Sequence, residues 1–277
     1  MQYTQRGGKY VTILTSFTYA KAMDTQTNAQ TTSNSVPQVS NLASDYGPSD
    51  SNVKFNYTLG WVTRFPRITS GNFITRAILN DWVYSGSYLA HTGTPFSVTM
   101  NSDSAFNDEP GQRAQVAAGA SPLLPSNRHR SAKVVQWFNP EAFVYPISGT
   151  FSNQSRNSFV GPSYILTDMT VGRDFPLARI REGMRFNFRA EAYNVFNTPN
   201  LANPYASYSC TTSPATALTQ VNGTGTIYSP SSQCTVFGNL IPGTSTTKFA
   251  RVLSTYGNNA NTSTNGRKMQ FSATVFF

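Results

Sequence analysis

Arg185, Asn187, Arg189 and Glu191 occupy alternate positions of a segment whose intervening residues are Phe186, Phe188, Ala190 and Ala192. Alternate side chains of an extended chain leave on opposite faces, so this spacing collects guanidinium and carboxylate groups on one surface and phenyl rings on the other. The chemistry on offer is ion pairing and charge-assisted hydrogen bonding, either to a polar ligand or internal body or within a network of the wall itself. Lys54, Arg64 and Asp168 fall on the corresponding parity of two further segments and belong to the same candidate set. Acid–base or nucleophilic catalysis finds no comparable pattern. His91 and His129 are the only histidines, and no nucleophile-elbow motif accompanies the many serines. Asp103, Asp108 and Glu109 lack the spacing of a calcium loop and read as a solvated acidic stretch. Gly223-Thr224-Gly225-Thr226 lacks the strand–helix setting of a phosphate loop and reads as a turn. No catalytic residue, metal site or cofactor is assigned.

The elements that must carry the charged residues announce themselves by alternation. In the C-terminal stretch Met269, Phe271, Ala273, Val275 and Phe277 share one parity, and Lys268, Gln270, Ser272 and Thr274 the other. A strand of this kind, ending on an aromatic residue, is the usual last strand of a bacterial outer-membrane barrel. We take Phe271, Val275 and Phe277 as its barrel-assembly face, with the barrel-assembly machinery as the expected partner. Similar alternation runs over Val11–Tyr19, Val53–Phe65, Ile165–Gly172 and Met184–Ala192, and in softer form around Trp82. That makes about six strands of about 9–14 residues, against 5–6 for a soluble strand and 9–11 for a tilted membrane-spanning one. No stretch approaches the roughly 18 apolar residues of a transmembrane helix. A membrane element built from this chain is therefore a β-barrel wall, in which closure satisfies the backbone.

Connections alternate short and long. Pro66 to about Ala77 and Pro176 to Gly183 are short, whereas Lys21 to Ser51, Gly93 to Pro162 and Asn197 to Arg267 are long. Outer-membrane barrels have short periplasmic turns and long extracellular loops, and a last strand ending in the periplasm puts each connection on its proper side. Charged residues make up 12% of the chain and aromatics 13%, which suits lipid-facing rings over a polar lumen. The net charge of +9 does not point to nucleic acid, because the basic residues are scattered and no helical motif gathers them. They suit a polar lumen and contact with anionic outer-leaflet lipid. Trp61, Tyr19, Tyr57, Tyr84 and Tyr88 suit interfacial girdles. Cys210 and Cys234 share the last long loop, and an oxidising surface compartment favours a disulfide between them.

A set of short phrases, in order along nearly the whole chain, resembles the C-terminal end of a TonB-dependent outer-membrane receptor of the Oar-like, carboxypeptidase-regulatory-like type. They are Ser16-Phe17-Thr18-Tyr19-Ala20-Lys21-Ala22-Met23-Asp24, Ser85-Gly86, Thr92-Gly93-Thr94-Pro95-Phe96 and Trp137-Phe138-Asn139-Pro140-Glu141-Ala142-Phe143. Gly149-Thr150-Phe151, Arg156-Asn157-Ser158, Gly161-Pro162 and Phe237-Gly238 follow the same pattern. The run from Phe188 through Arg189-Ala190-Glu191-Ala192-Tyr193-Asn194-Val195-Phe196-Asn197 is the most specific member.

The resemblance implies a barrel of about 22 strands filled by an N-terminal plug, energised for uptake by the inner-membrane TonB complex. Residues 1–277 are then one segment of that barrel, all-β, an antiparallel meander with three long extracellular loops. Met1 to Arg6 has no apolar core and is not a secretory signal. About six strands also fall short of the smallest closed barrel of about eight. The expectation is a C-terminal part whose partners are outer-membrane lipid and its own plug and remaining strands. A surface-binding or adhesive barrel without energised transport is the alternative, and a soluble β-sandwich a third. In the barrel reading the strand from Val11 and the last strand are the open edges. Phe55, Tyr57, Leu59, Trp61, Phe186, Phe188, Phe271 and Val275 then lie on the face opposite Lys54, Arg64, Asp168, Arg185, Arg189 and Glu191.

Overall fold

The computed structural model describes residues 2–7, 9–26, 41–72, 75–76, 79–100, 103–107, 112–177, 180–208, 249–256 and 266–277. Its long strands are β1 (Gln2–Gly7), β2 (Val11–Tyr19), β3 (Phe55–Arg64), β4 (Trp82–His91), β5 (Tyr164–Pro176), β6 (Arg185–Tyr193) and β7 (Lys268–Phe276). They form one antiparallel sheet in which every strand pairs with its sequence neighbours, in the order β1 to β7. A soluble sandwich would split these strands into two packed sheets, and the single meander has none of that division. Among the described residues no helix is long and apolar enough to cross a membrane.

Seven strands stand where the alternation predicts six. Gln2–Gly7 offers no apolar parity, so its sequence carries no strand signal. Its amides and carbonyls nevertheless meet the free edge of β2, with Gln2 opposite Ser16 and Gly7 opposite Val11. The open edge therefore falls on β1 rather than on the strand from Val11. β5 is also longer than expected, running four residues past Gly172, because its neighbours β4 and β6 continue alongside it to Arg173 and Pro176. Lys54 lies just outside the start of β3.

Register keeps the two parities in phase across the sheet. Tyr57 stands opposite Ala90, Trp61 opposite Gly86, Val171 opposite both Tyr84 and Ala190, and Ala190 opposite Phe271. On the other face Gly60 meets Ser87, Asp168 meets Ser87, Thr170 meets Glu191, and Arg189 meets Ser272. A one-residue slip in any pair would send that strand's rings to the polar side. The apolar face stays open, with Ile13, Phe17, Phe55, Met269 and Phe271 all exposed.

The buried core lies elsewhere. Between β4 and β5 the long connection folds into a cap of its own, with α1 (Arg130–Val135), a short 3-10 turn at Pro140–Ala142 and two-residue strand pairs such as Pro95–Phe96 with Phe159–Val160. Phe96, Phe138, Phe143, Phe159 and Phe249 are all buried there, their ring centres 5.1–6.1 Å apart in tilted and edge-on contacts. Each such ring contributes about 1.5–3 kcal/mol through burial. Phe249 enters from the last long connection, so two loops share one core.

Buried glutamines brace the cap's backbone. Gln154 accepts from Val98 N at 2.9 Å and donates to the carbonyls of Val98 and Ala114, standing in for a strand partner. Gln112 accepts from Ser104 N and Ala105 N in the same manner.

Ion pairs bind the first long connection to this cap. Arg113 donates to Asp45, and Arg156 pairs with Asp24 and Asp50. Gly93 passes so close to the Gly161 carbonyl that any Cβ at position 93 would collide with it. A Cβ at Gly161 would instead strike the Asn203 side chain, so the phrases Thr92–Phe96 and Gly161-Pro162 each carry a glycine for a steric reason of their own.

Candidate functional site: the polar face of the sheet

β6 presents its charged residues in a row because strand geometry leaves no other arrangement. Arg189 Nε and Glu191 Oε1 are 2.7 Å apart, and the Tyr193 hydroxyl donates to Glu191 Oε2 at 2.8 Å. Three successive positions of one parity are thereby joined along a single strand. Further along the same face Asn187 Nδ2 donates to Asp174 Oδ1 at 2.7 Å, and the Arg185 guanidinium lies 4.5 Å from the centre of the Phe276 ring. Asp168, one strand over, accepts from Asn194 N at 2.9 Å and so ties the end of β6 to the middle of β5. Arg64 shares this face through its register with Val83.

A groove of about 450 Å³ runs along the polar side, lined by Thr12, Val62, Ser85, Ser87, Asp168 and Thr170 among others. Its walls are mostly apolar, with Leu14, Trp61 and Val62 beside a few hydroxyls and the Asp168 carboxylate, a surface for contact and hydrogen bonding rather than for bond making. Arg185, Arg189, Glu191, Asp168 and Arg64 are thus brought onto one face. Lys54 is not placed so cleanly: its ammonium lies 5.5 Å over the ring of Phe55, a member of the apolar parity.

Arg173 is the charged residue that sequence reasoning missed. It belongs to the apolar parity, opposite Trp82 and Phe188, yet is only 4% exposed. Its guanidinium sits 4.3 Å from the Phe175 ring centre and 5.6 Å from that of Trp82. Aromatic faces attract a cation, and its place near the short-turn end of β5 is where a lipid-facing Arg costs about 0–1 kcal/mol rather than the 2–4 of the midplane. Extending the alternation of β5 by four residues would have revealed it.

On the apolar face the Trp61 ring lies across Gly86, where a Cβ would strike both the indole and the Asp168 carbonyl. Trp61 and Tyr84 ring centres are 6.0 Å apart, and the Tyr84 hydroxyl reaches Met169 Sδ at 3.2 Å. Tyr57 and Tyr88 make a second pair at 6.0 Å.

The two histidines hold structure together. His91 stacks on Tyr164 with ring centres 5.0 Å apart and planes within 6°, and His129 caps α1 through Ser131. Asp103 accepts from Gln112 Nε2 and Asn107 N. Among the described residues no group of three His, Cys, Asp or Glu side chains is placed to hold a metal ion. Cys210, Cys234, Asp108, Glu109 and Gly223–Thr226 lie outside the described residues.

A meander of long strands with one continuous apolar face, one polar grooved face and a folded cap joining the same ends of the strands defines a membrane-barrel wall. Residues 1–270 match the family described as the outer membrane beta barrel domain. The chain belongs to that family, its place is the outer membrane, and its apolar face meets membrane lipid. No curated protein and no solved structure matches it.

Proposed function

We propose that this chain forms the C-terminal wall and surface cap of a TonB-dependent outer-membrane transporter of the Oar-like type, which binds and imports a substrate through a plugged barrel. The observation that carries the reading is the ordered polar face, where Arg189, Glu191 and Tyr193 are joined to one another, Asp168 to the Asn194 backbone and Asn187 to Asp174, rather than left as scattered surface charge. On this reading that face lines the lumen and meets a plug or a passing ligand, with Arg64 and Arg185 beside it and Lys54 at the rim. The long connections lie outside the cell and the short turns in the periplasm.

Two features support a wall completed by further strands. Among the described residues β1 and β7 each pair on one side only, and closed outer-membrane barrels start at about eight strands. The Phe188–Asn197 and Trp137–Phe143 runs resemble those of the Oar-like receptors. TonB acts through the plug and the barrel-assembly machinery through β7. The chain itself performs no catalysis and needs no cofactor.

The test is the sequence encoded ahead of Met1 together with uptake in a strain lacking TonB. A plug and TonB-contacting segment, with uptake lost in that strain, is the expected result; neither would leave the import reading standing if absent. A second reading, an adhesive or polymer-binding barrel without transport, is favoured by the cap. A loop with its own aromatic core is a preformed surface that binding alone would justify.

A further inference from the structure

A pocket of about 390 Å³ opens between α1 and the start of β5, where Ile165 begins the apolar parity of that strand. Arg128, Arg130 and Lys133 line it beside Trp137. Arg130 and Lys133 are three apart on α1, and that spacing sets two side chains next to each other on a helix. Neutral carbonyls orient the two guanidiniums: Arg128 Nη2 donates to Gln136 O at 2.7 Å, and Arg130 Nη2 to Pro199 O at 2.6 Å. None of the three cations forms an ion pair with a carboxylate among the described residues. The Trp137 indole N–H is committed to the Val160 carbonyl at 3.0 Å, which fixes its ring as a wall.

Asn200 supplies an independent observation. It lines the same pocket and is 1% exposed. Its Oδ1 accepts from Ile165 N at 2.8 Å, a bond that requires the oxygen on that side and settles the orientation of the amide. Its Nδ2 has no hydrogen-bond partner among the described residues. A buried donor without a partner is unfavourable, and clustered cations repel one another. One ligand relieves both: an anion carrying several acceptor oxygens.

We propose that this pocket binds a phosphate monoester. Arg is suited to phosphate by its fork of donors, and Lys by its point charge. The volume falls in the 300–1,000 Å³ range of small-molecule pockets, more than bare phosphate fills, so the esterified group lies against Trp137. The ester is carried either by the headgroup of an outer-leaflet glycolipid or by a soluble compound. The pocket's position at the start of the lipid-facing parity suits the first source. The inference rests on the chain's place in the outer membrane and is independent of energised transport.

The test uses the full-length protein in phosphate-free zwitterionic detergent. It is titrated with inorganic phosphate, with a bisphosphorylated glucosamine glycolipid, and with the same lipid after enzymatic dephosphorylation, and binding is read by native mass spectrometry. Tight binding of the phosphorylated lipid alone assigns the lipid source. Binding of phosphate with no preference for the lipid assigns a soluble ester. Lys133→Gln and Asn200→Asp, which keeps the acceptor for Ile165 N, each weaken binding about tenfold, as loss of one charge-assisted hydrogen bond predicts. Absence of phosphate-dependent binding, or unchanged affinity in a correctly folded Lys133→Gln protein, overturns the proposal. Loss of TonB-dependent uptake with phosphate binding intact would instead concern the transport reading alone.

Discussion

Arg113 reaches across 68 residues of sequence to donate to Asp45 at 2.6 Å, with the guanidinium side chain 10% exposed and the carboxylate 0%. The same guanidinium also donates to Gln154 O and Ser44 O, so its donors are spent on fixing two loops together. Removing one partner of a buried pair strands the other charge, at about 3–5 kcal/mol. Arg113→Met is expected to remove that much from the local stability of the cap, seen as lost amide-exchange protection over 41–50 and 112–116. The Asp45→Asn/Arg113→Met double variant should lose less. Full protection in the single variant would show that the pair does not hold the loops.

Phe138 touches four other rings of the cap core, those of Phe96, Phe143, Phe159 and Phe249. Phe138→Ala should therefore destabilise the cap by about 3–5 kcal/mol, the usual cost of a large-to-small change in a packed interior. Exchange protection should fall at Val98, Ala114 and Ala142 while β5 and β6 keep theirs. Simultaneous loss in the strands would mean that cap and wall fold as one unit.

Gly86 has no room for a methyl group under the Trp61 ring. Gly86→Ala should lower the yield of correctly assembled barrel, measured as the heat-modifiable species on semi-native gels. Adding Trp61→Ala should recover part of that yield, the rest being withheld by the Asp168 carbonyl. An assembly-competent single variant would show that the indole moves freely.

The Arg189–Glu191 pair sits on an open face, with the arginine side chain 53% exposed. Exposed pairs contribute at most about 1 kcal/mol, so Glu191→Gln should leave the thermal transition of the assembled barrel nearly unchanged. A loss of several kcal/mol would mean that a plug or another strand covers the pair in the complete protein.

Residues 1–277 expressed alone should need detergent. Edge strands that pair on one side only among the described residues, and a wide apolar face, are an aggregation hazard in water. Sedimentation in detergent-free buffer checks this: a soluble monomer with a sharp cooperative melt would contradict the barrel-wall account.

What the sequence determined by itself is the two-faced character of β2, β3, β5, β6 and β7. A strand's period of two assigns each side chain to a face from neighbours a few residues away, so Phe186 and Arg189 are separated before any tertiary contact forms. Their grouping on common faces followed once register was fixed. β1 could not be read in this way, since Gln2–Gly7 has no apolar parity and is made a strand only by the free edge of β2. Arg173 was hidden for a related reason: β5 continues past Gly172 because pairing with β4 and β6 continues. The cap lay furthest from view. Its core joins Phe96, Phe138, Phe143, Phe159 and Phe249 from separated stretches with no shared period, and Asp45 meets Arg113 from another connection. Burial among distant residues depends on how the chain closes in three dimensions, and only the tertiary structure supplies that closure.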